Sequence, residues 1–447
     1  MHSTLTNGKP PNKRDVLRLV KENDVRYIRM SFVDILGISK NVMIPSTELE
    51  RAIDGKVTFD GGSIDGFVRG EEADMMLLPD LSTFAVYPWT AGGHQEARLV
   101  CNIATPDGEP FEGCPRTTLA RAIDDASDVL TGVTSSLEVE FYLFELDSAG
   151  VPTTTSNDCG SYFDINESDR GETARMEIVS ALEAMGVGIA SAHHEHGAGQ
   201  HEIDIKETNL LGAADALTTI RTVAKHIAAR HGLHATFMPK PSETLAGSGV
   251  HVYFTLPSGD AAEAGADDEL SEETLFAIGG LLQHAPAFTA ICNPTVNSYK
   301  RLVAAWDAPI YTVWSHRSAN SLVRVPSPEN GRSRIEIRSA DPSCNPYLAM
   351  AVLLASVAHG VREHALPGDP LTGSTYDLNE RERDRRRIRT LPKSLRQALL
   401  ELDTDPVVRG ALGDHIYHAF RDAKFAEYES YRRAVHPWER DAYLRVY

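Results

Sequence analysis

The chain has 447 residues, 42% of them hydrophobic, and a formal net charge of −19. This length exceeds one ordinary core, so two domains are expected, and the strong negative charge argues against nucleic-acid binding. The sequence contains no run of about eighteen apolar residues, which argues against a membrane span. The first residues lack an apolar signal region, and the five scattered cysteines show no C-x-x-C spacing. Both observations favour reduced thiols and a cytoplasmic location.

The N-terminal part of the chain predicts a small α+β domain, which we place at residues 13–106. Its predicted elements are, in chain order, a helix ending near Asn23, strands at 25–33 and 41–44, a helix capped by Ser46 or Thr47, a glycine loop at 60–62, a turn at 79–82 and a last strand at 98–103.

The remaining residues, 107–447, predict a larger α+β domain. Its predicted elements are helices at 115–130, 171–185, 211–231, 392–402 and 414–433, a helix capped by Ser271, a strand at 136–145 and a loop at 258–268. The charged run at 381–389 predicts a solvent-exposed face. We expect an antiparallel sheet that curves into a half-barrel, rather than a doubly wound parallel sheet.

The segment SLEVEFYLF, residues 136–144, predicts a strand because it is rich in β-branched and aromatic residues. Side chains alternate along a strand, so Glu138 and Glu140 share one face, roughly 6–7 Å apart. Two carboxylates in an otherwise apolar element repel each other and lose hydration unless a cation or protons compensate. A single pair of this kind is as often a solvated strand face, so the pair alone does not define a site.

Three later segments, at residues 198–205, 249–256 and 334–338, repeat this design of an apolar back and a polar front. Their polar side chains are, segment by segment, Glu202 and Asp204 with Glu195 just upstream, then His251, Tyr253 and Thr255, and then Glu336 and Arg338. Carboxylates with one imidazole suit hard divalent cations, Mg²⁺ or Mn²⁺, better than a thiol-rich zinc site. Arginines beside them suit an anion bound to the same metals, for which phosphate is the best candidate. Unrelated surface acids are the alternative interpretation.

These segments, in this order, resemble the glutamine synthetase family in its type I bacterial form. FDGGSI at residues 59–64 resembles the family's F-D-G-S-S-I loop, and NPTVNSYKR at 293–301 and DPSCNPY at 341–347 match two further blocks. The resemblance runs from about Val16 to HPWER at 436–440, which is nearly the whole chain. It implies a small N-terminal β-grasp-like domain followed by the half-barrel domain.

The resemblance implies a two-step reaction. ATP phosphorylates the γ-carboxylate of glutamate, and an amine, ordinarily ammonia, then displaces the phosphate. Transfer of a phosphoryl group between two anions requires metals and cationic side chains to neutralise oxygen charge. Two or more Mg²⁺ or Mn²⁺ ions per active site are therefore implied. Their implied ligands are Glu140, Glu195 and Glu202 for one ion, and Glu138, His251 and Glu336 for the other.

Substrate contacts are implied in the same way. The implied roles are Arg301 and the turn at Gly247 for the amino acid, Arg324 and Arg338 for phosphate and substrate oxygens, and Tyr253, Thr255 and Arg324 for the nucleotide. Asp60 resembles the ammonium-binding aspartate, which the family presents to the active site of the neighbouring subunit. A homo-oligomer with active sites between subunits is therefore implied, usually two hexamers face to face. Arg69 resembles the feedback-inhibition arginine of one type I subgroup.

Several positions depart from the family's pattern. Asp307, in AAWDAP at residues 304–309, stands where a catalytic glutamate closes over the intermediate, so the carboxylate is one methylene shorter. Ala246 and Ala319 stand where an asparagine and an arginine face the substrate. Ala190 replaces a glutamate near the nucleotide, and Gly62 replaces a serine in the Asp60 loop.

All six metal positions are retained while the substrate contacts have changed. Each lost charged hydrogen bond typically costs about 1.5–3 kcal/mol, so several losses would weaken an unchanged reaction. The pattern favours a ligase whose amine is larger than ammonia, or whose acid is not plain glutamate. One alternative is an ordinary glutamine synthetase with compensating neighbours such as Arg317. The other is a non-catalytic family member that acts as a sensor, a partner of a regulator or a structural oligomer.

Overall fold

The computed structural model describes residues 10–64, 66, 74–165, 169–256, 270–305, 307–327 and 332–447. The features predicted at Arg69 and at residues 258–268 lie outside this described part of the chain.

The N-terminal part folds into one sheet with two short helices. Its elements are α1 (Lys13–Glu22), β1 (Val25–Val33), β2 (Ser39–Pro45), α2 (Leu49–Ile53), β3 (Val57–Asp60), β4 (Asp74–Ala91) and β5 (His94–Ala104). The five strands lie in the order β2-β1-β5-β4-β3, and β1 runs parallel to β5 while the other pairs are antiparallel. The predicted small α+β domain is confirmed in its type.

Two local predictions in this part are wrong. The turn expected at 79–82 is a bulge inside β4, because the pairing with β5 shifts register between Asp80 and Ala85 and the Thr83 hydroxyl donates to the Asp80 carbonyl at 2.7 Å. The sequence predicted a turn because Pro79 and Asp80 are residue types that turns favour. The helix expected after Ser46 is present, as a 3-10 turn at Ser46–Glu48 that leads directly into α2 at Leu49, but the predicted side-chain cap is wrong because no side chain caps either segment.

The C-terminal part begins with a helix, α3, and most strands of its sheet follow. Its first elements are α3 (Pro115–Asp125), β6 (Thr134–Leu146), β7 (Pro152–Ser156), α4 (Arg170–Ala184), β8 (Ile189–His194), β9 (Gln200–Ile205), β10 (Thr208–Asn209), α5 (Leu210–Arg230), β11 (Leu233–Thr236) and β12 (Val250–Thr255). The later elements are α6 (Glu272–Cys292), α7 (Ser298–Arg301), β13 (Trp314–Ser315), β14 (Val323–Arg324), β15 (Arg334–Ile337), α8 (Pro346–Arg362), α9 (Glu380–Arg386), α10 (Leu395–Thr404), α11 (Pro406–Leu412), α12 (Asp414–Arg433) and α13 (Pro437–Tyr443).

The strand β6 is the centre of the second sheet. The main path runs β13-β14-β15-β12-β6-β9-β8, and β7, β10 and β11 pair with other parts of β6. These pairs are antiparallel except β13–β14, a short parallel pair at one edge. A curved, mostly antiparallel sheet flanked by helices confirms the predicted fold class.

Helices α6 and α8 pack closely through glycines. A Cβ on Gly280 would lie 2.1 Å from the carbonyl oxygen of Ser356, and one on Gly360 would lie 2.3 Å from the carbonyl oxygen of Phe276. Because both obstacles are backbone atoms, no larger residue fits either position without moving a helix. Within the described residues, α6 is also long and apolar enough to cross a membrane, contrary to expectation, but 78% of its most apolar window is buried in the fold.

None of the described side chains of the surface helix α9 is buried, which agrees with the solvent-exposed face predicted for the charged run, although Arg383 and Arg386 also donate to backbone carbonyls of the neighbouring loops. The cap predicted at Ser271 is confirmed, since its side chain accepts a hydrogen bond from the Thr274 amide.

Asn345 joins the two domains. Its side-chain oxygen caps α8 by accepting from the Tyr347 and Leu348 amides at 3.1 and 3.3 Å, and its nitrogen donates to the Asp34 carbonyl at 2.9 Å. We expect Asn345→Ala to lower the free energy of unfolding by about 1–2 kcal/mol, because it removes a cap and a buried interdomain hydrogen bond.

Thermal unfolding followed by circular dichroism measures this effect. Asn379→Ala is the matched control, since Asn379 also caps a helix, α9, but on the exposed surface. Equal losses in the two variants would contradict an interdomain role for Asn345.

Candidate active site

Polar side chains from three neighbouring strands meet on one face of the second sheet. Glu138 on β6 lies opposite His251 on β12 and opposite Asp204 on β9. Two residues further along β6, Glu140 lies opposite Glu202. Facing residues of antiparallel strands have Cβ atoms about 5 Å apart, so this register alone gathers five titratable groups.

The first group of carboxylates surrounds His251. The ligand atoms of Glu138, His251 and Glu336 lie within 4.8 Å of one another, with His251 Nδ1 2.7 Å from Glu138 Oε2 and 3.6 Å from Glu336 Oε1. The Tyr253 hydroxyl donates to Glu138 Oε1 at 2.5 Å. Burial raises the pKa of Glu138, but hydrogen bonds from His251 and Tyr253 outweigh it and lower the pKa to about 2. Glu138 is therefore ionised at neutral pH.

The second group comprises His193, Glu195 and Glu202, whose ligand atoms also lie within 4.8 Å of one another. His193 Nε2 is 3.2 Å from Glu202 Oε1. Glu140, predicted for this group, adjoins it, and its Oε2 accepts from Gln200 Nε2 at 3.0 Å. The structure thus adds a histidine that the sequence prediction did not include.

Carboxylates of the second group repel one another. Burial first, and then repulsion from Glu140, raises the pKa of Glu195 and raises that of Glu202 much further. Glu138 and Asp204 add to the repulsion on Glu202. A divalent cation would take the place of protons here, and oxygen donors with one imidazole are ligands that such a cation accepts. The residues therefore fit a metal centre.

Two arginines place positive charge beside these carboxylates. Arg324 and Arg338 both line the cavity, and each donates to the carboxylate of Glu336, which is fully buried. Guanidinium groups beside a cation site are suited to an anion that bridges them.

A third arginine, Arg301, is held in the wall by backbone oxygens. Its guanidinium donates to the Ser339 carbonyl at 2.8 Å and to the Arg338 carbonyl at 3.1 Å. A Cβ on Gly249 would lie 2.5 Å from Arg301 Nη2, and one on Gly247 would lie 2.7 Å from its Cγ. Glycine at both positions is what allows the backbone to approach this side chain.

The resulting cavity has a volume of about 750 Å³. Predicted site residues that line it are Glu138, Glu140, Glu195, Glu202, Gly247, His251, Arg301, Asp307, Arg324 and Arg338. Glu336 lies beneath the surface behind the two arginines. Ala246 and Ala319, two of the unusual small residues, line the same cavity.

Besides Glu336, three predicted residues are not part of the lining: Asp60, Tyr253 and Thr255. Asp60 is exposed in the N-terminal domain, where it accepts from the Gly62 amide at 2.8 Å and from Ser63 Oγ at 3.0 Å. Tyr253 and Thr255 are 4% and 2% exposed. Tyr253 supports Glu138 from below, so the nucleotide roles of Tyr253 and Thr255 stay predictions.

The prediction did not include several lining residues. His193 lies on β8, and Glu195, two residues later, directly follows the end of that strand. Strand alternation could therefore have identified His193. The sequence predicts Asp204 on the polar face of its strand but indicates no role for it. Tyr162 and Phe163 lie in a loop before α4, and no local pattern indicates that they reach the cavity.

Behind the sheet, buried histidines follow the same alternation. His194, next to Glu195, places Nδ1 2.7 Å from the Glu195 carbonyl oxygen and Nε2 3.1 Å from Asp158 Oδ1. Burial lowers the pKa of His194, but the hydrogen bond to Asp158 outweighs it and raises the pKa. His201, next to Glu202, lies with Nδ1 2.6 Å from Arg175 Nη1.

Two carboxylate–histidine groups beside arginines suited to phosphate are typical of enzymes that transfer a phosphoryl group with divalent metals. Comparisons give the family. A family model described as "Glutamine synthetase, beta-Grasp domain" matches residues 24–106, and "Glutamine synthetase, catalytic domain" matches residues 112–443. The chain belongs to the glutamine synthetase family, and it is an ATP-dependent ligase that forms C–N bonds.

Relatives cover nearly the whole chain. Glutamine synthetase of Thermus thermophilus is 44% identical over 442 residues, 97% of this chain and 99% of that protein. Glutamine synthetase of Staphylococcus aureus strain MRSA252 is 44% identical over 439 residues, 97% of this chain and 98% of that protein. The family uses ATP and divalent metals, acts on small molecules and is oligomeric.

Two solved structures are similar. One, described as "GmaS/ADP complex-Conformation 1", has a TM-score of 0.86 and 29% identity, covering 96% of this chain and 99% of that chain. The other, a cryoEM structure of Plasmodium falciparum glutamine synthetase, has a TM-score of 0.85 and 21% identity, covering 97% and 99%. At 21% identity, the similarity to this second structure supports the fold alone.

Proposed function

We propose that this ligase joins the γ-carboxylate of glutamate, or of a similar acid, to an amine larger than ammonia. One observation carries the proposal: the metal-type carboxylate groups are complete, while Ala246, Asp307 and Ala319 line the same cavity with short side chains. The shorter side chains leave room for a larger amine. The retained carboxylate groups keep the sites for the metals that phosphoryl transfer needs. We propose that the enzyme acts in the cytoplasm.

Two divalent cations, Mg²⁺ or Mn²⁺, would bind the two groups. Their proposed ligands are Glu138, His251 and Glu336 for one, and Glu140, Glu195 and Glu202, joined by His193, for the other. When bound, the cations neutralise charge on phosphate oxygens. The likeness to a structure described as an ADP complex, at 29% identity, supports a nucleotide site in the same cavity.

The first chemical step forms an acyl phosphate. An oxygen of the substrate carboxylate attacks the γ-phosphorus of ATP, and the bond to ADP breaks. Arg324 and Arg338 would offset the charge that gathers on the transferred group, since both line the cavity. Arg301, with the turn at Gly247, would hold the amino acid so that its side-chain carboxylate faces the nucleotide.

In the second step the amine nitrogen attacks the acyl carbon, and phosphate leaves. The nitrogen loses a proton to a carboxylate of the site. Asp307 would cover the acyl phosphate against water, in the position where the family has a glutamate. Tyr376 supports this segment, because its hydroxyl donates to the Ala308 carbonyl at 2.8 Å.

Phosphate release from ATP with glutamate, measured over a panel of amines, tests the proposal. We expect one or more organic amines to give a higher kcat/KM than ammonia. If ammonia is clearly the best acceptor, the larger-amine assignment is wrong.

An ordinary glutamine synthetase is the second candidate, favoured by relatives of that name at 44% identity. The suggested compensation by Arg317 gains no support, because Arg317 is exposed and is not among the described lining residues. Rescue of a glutamine auxotroph would favour this candidate. The third alternative, a non-catalytic member, predicts no phosphate release with any amine, and the complete carboxylate groups speak against it.

We propose that Asp60 completes the active site of a neighbouring subunit, since it is exposed and lies away from the cavity of its own chain. Asp60→Ala and Asp307→Asn oligomers should each have low activity. Co-expressed oligomers of the two variants should recover up to roughly a quarter of wild-type activity, because random assembly leaves that share of sites intact.

The measurement is phosphate release by doubly tagged, mixed oligomers. Mixing two preparations of Asp307→Asn that carry the two tags is the control. No recovery in the mixed oligomers would place Asp60 outside the neighbouring site.

A further inference from the structure

A second cavity, of about 950 Å³, lies between the two domains. One wall is the outer face of β1, β4 and β5, and the facing wall includes one side of α5. Side chains of α5 that line it recur at helical spacing, among them Thr218, Arg221, Thr222 and Lys225. None of the candidate metal ligands is among its lining residues. We call this space the interdomain cavity.

The interdomain cavity carries an excess of positive charge. Six lysine and arginine side chains line it within the described part of the chain, against two glutamates. Three of the six form ion pairs, which are Arg29 with Glu96 at 3.0 Å, Lys424 with Glu427 at 2.9 Å and Lys40 with Asp34 at 3.4 Å. The other three have no carboxylate partner among the described residues, and they are Arg98, Arg221 and Lys225.

Two of these cations are buried with only neutral partners. Arg98 and Arg221 are each 9% exposed, and the Nε of each has no hydrogen-bond partner in the described structure. Arg98 Nη1 donates to Thr219 Oγ1 at 2.6 Å, and Arg221 Nη2 donates to the Cys344 carbonyl at 2.6 Å. A buried charge without a counter-charge is costly, so both guanidinium groups would be stabilised by an anion.

Arg116, at the same boundary between the domains, shows the contrasting arrangement. It is also buried, but its Nη2 lies 2.7 Å from Asp80 Oδ2 and 3.0 Å from Asp215 Oδ2, so its charge is balanced by the protein. Arg116 does not line the interdomain cavity, whereas the two unbalanced arginines do. Buried donors without partners call for a reason, and a bound ion in the adjoining space is one.

Lys225 adds a third charge one helical turn after Arg221 on α5. Burial first, and then repulsion from Arg221, lowers the pKa of Lys225. Like charges at this spacing destabilise a helix. An anion placed between the two side chains would replace that repulsion by attraction.

We propose that the interdomain cavity binds a phosphate-type dianion, held by Arg98 from the N-terminal domain and by Arg221 and Lys225 from the C-terminal domain. A tetrahedral oxyanion with two charges offers acceptors in several directions, and guanidinium groups are well suited to it. Bound in this way, the anion joins the two domains at a site separate from the active-site cavity. Inorganic phosphate and a phosphate ester are the two sources of this chemistry.

The test is calorimetric titration of the full-length enzyme in EDTA with inorganic phosphate and, separately, with glycerol phosphate. EDTA removes divalent cations that would hold phosphate in the active-site cavity, and chloride keeps the ionic strength constant. Arg98→Gln and Lys225→Gln should each raise the Kd at least about ten-fold, because each removes a charged hydrogen bond. Lys225 is partly exposed, so its variant should fold normally. Phosphate should also raise the thermal unfolding midpoint of the wild type more than that of Lys225→Gln.

Two control variants locate the binding. Arg230→Gln removes another cation of α5, one that pairs with Glu177 and is not a lining residue. Arg338→Gln removes an arginine of the active-site cavity. Both should bind phosphate as the wild type does.

The ligand that binds more tightly identifies the source of the anion. If the wild type binds neither ligand, the proposal is wrong. It is equally wrong if Arg98→Gln and Lys225→Gln bind as tightly as Arg230→Gln, or if only Arg338→Gln loses binding, since phosphate would then occupy the active-site cavity alone.

Discussion

Glu202→Gln should reduce phosphate release by at least about 100-fold and should stabilise the metal-free protein at the same time. The loss of activity follows because a neutral amide cannot replace a carboxylate in the second metal group. The gain in stability follows because burial first, and then repulsion from Glu140 and the other neighbouring carboxylates, raises the pKa of Glu202 far above its ordinary value. Glutamine keeps the shape and removes the repulsion. We expect the free energy of unfolding in EDTA to rise by about 1–3 kcal/mol at neutral pH.

This stabilisation should depend on pH with a definite sign. A raised pKa in the folded state means that Glu202 contributes its full share of stability below the unfolded pKa of about 4.3 and loses it as the pH rises. The advantage of Glu202→Gln should therefore vanish at acidic pH and grow towards neutral pH, by at most about 1.4 kcal/mol per pH unit. Thermal unfolding of the wild type and of Glu202→Gln in EDTA, from acidic to neutral pH, measures how the stability difference depends on pH.

Glu207→Gln is the matched control. Although burial raises the pKa of Glu207, hydrogen bonds from Thr134 and Arg332 lower it, and the Arg332 ion pair measures 2.8 Å. Its substitution should leave activity near wild type and cost stability of about 0–1 kcal/mol, the opposite sign. If Glu202→Gln lost activity and also destabilised the metal-free protein, like-charge repulsion would not be the dominant feature of the group.

Asp307→Asn should lower kcat by at least about 100-fold with little change in stability. Asp307 has a φ of 56°, and asparagine adopts this left-handed conformation as readily as aspartate does. The variant therefore removes the negative charge at the cavity and leaves the backbone as it is. Without this carboxylate, the acyl phosphate loses its cover against water, and the attacking amine loses a nearby proton acceptor.

Steady-state kinetics with a saturating amine, together with thermal unfolding, measures both effects. Asp24→Asn is the control, because Asp24 is another exposed aspartate with a positive φ, 49°, far along the chain from the site. A near-normal kcat in Asp307→Asn would show that the carboxylate at this position has no part in the chemistry.

Strand alternation explains how much of the site the sequence could predict. The polar fronts of β6, β9, β12 and β15 follow from the two-residue period alone, and the structure joins these strands in one sheet. The register between strands does not follow from that period. The position of Glu138 between His251 and Asp204 therefore became visible only in the folded sheet.

Features that depend on long-range contacts were beyond the sequence. Tyr162 and Phe163 reach the cavity because a hydrogen bond from the Phe163 amide to the His194 carbonyl holds this loop at the end of β8, about thirty residues later in the chain. The bulge near Asp80 needs the partner strand β5 to define it, so local turn chemistry gave the wrong result. The candidate metal ligands were predictable one by one because each lies in a short alternating pattern, whereas their division into two groups followed only from the family resemblance and from the folded sheet.

The buried histidines behind the sheet have a consequence for engineering. His194 directly precedes Glu195 and contacts Asp158, and His201 directly precedes Glu202 and contacts Arg175. We therefore expect groups on the reverse side of the sheet to position these two carboxylates. Substitutions at Asp158 and Arg175, which are not among the described residues that line the cavity, should therefore adjust the preference between Mg²⁺ and Mn²⁺ without removing a ligand.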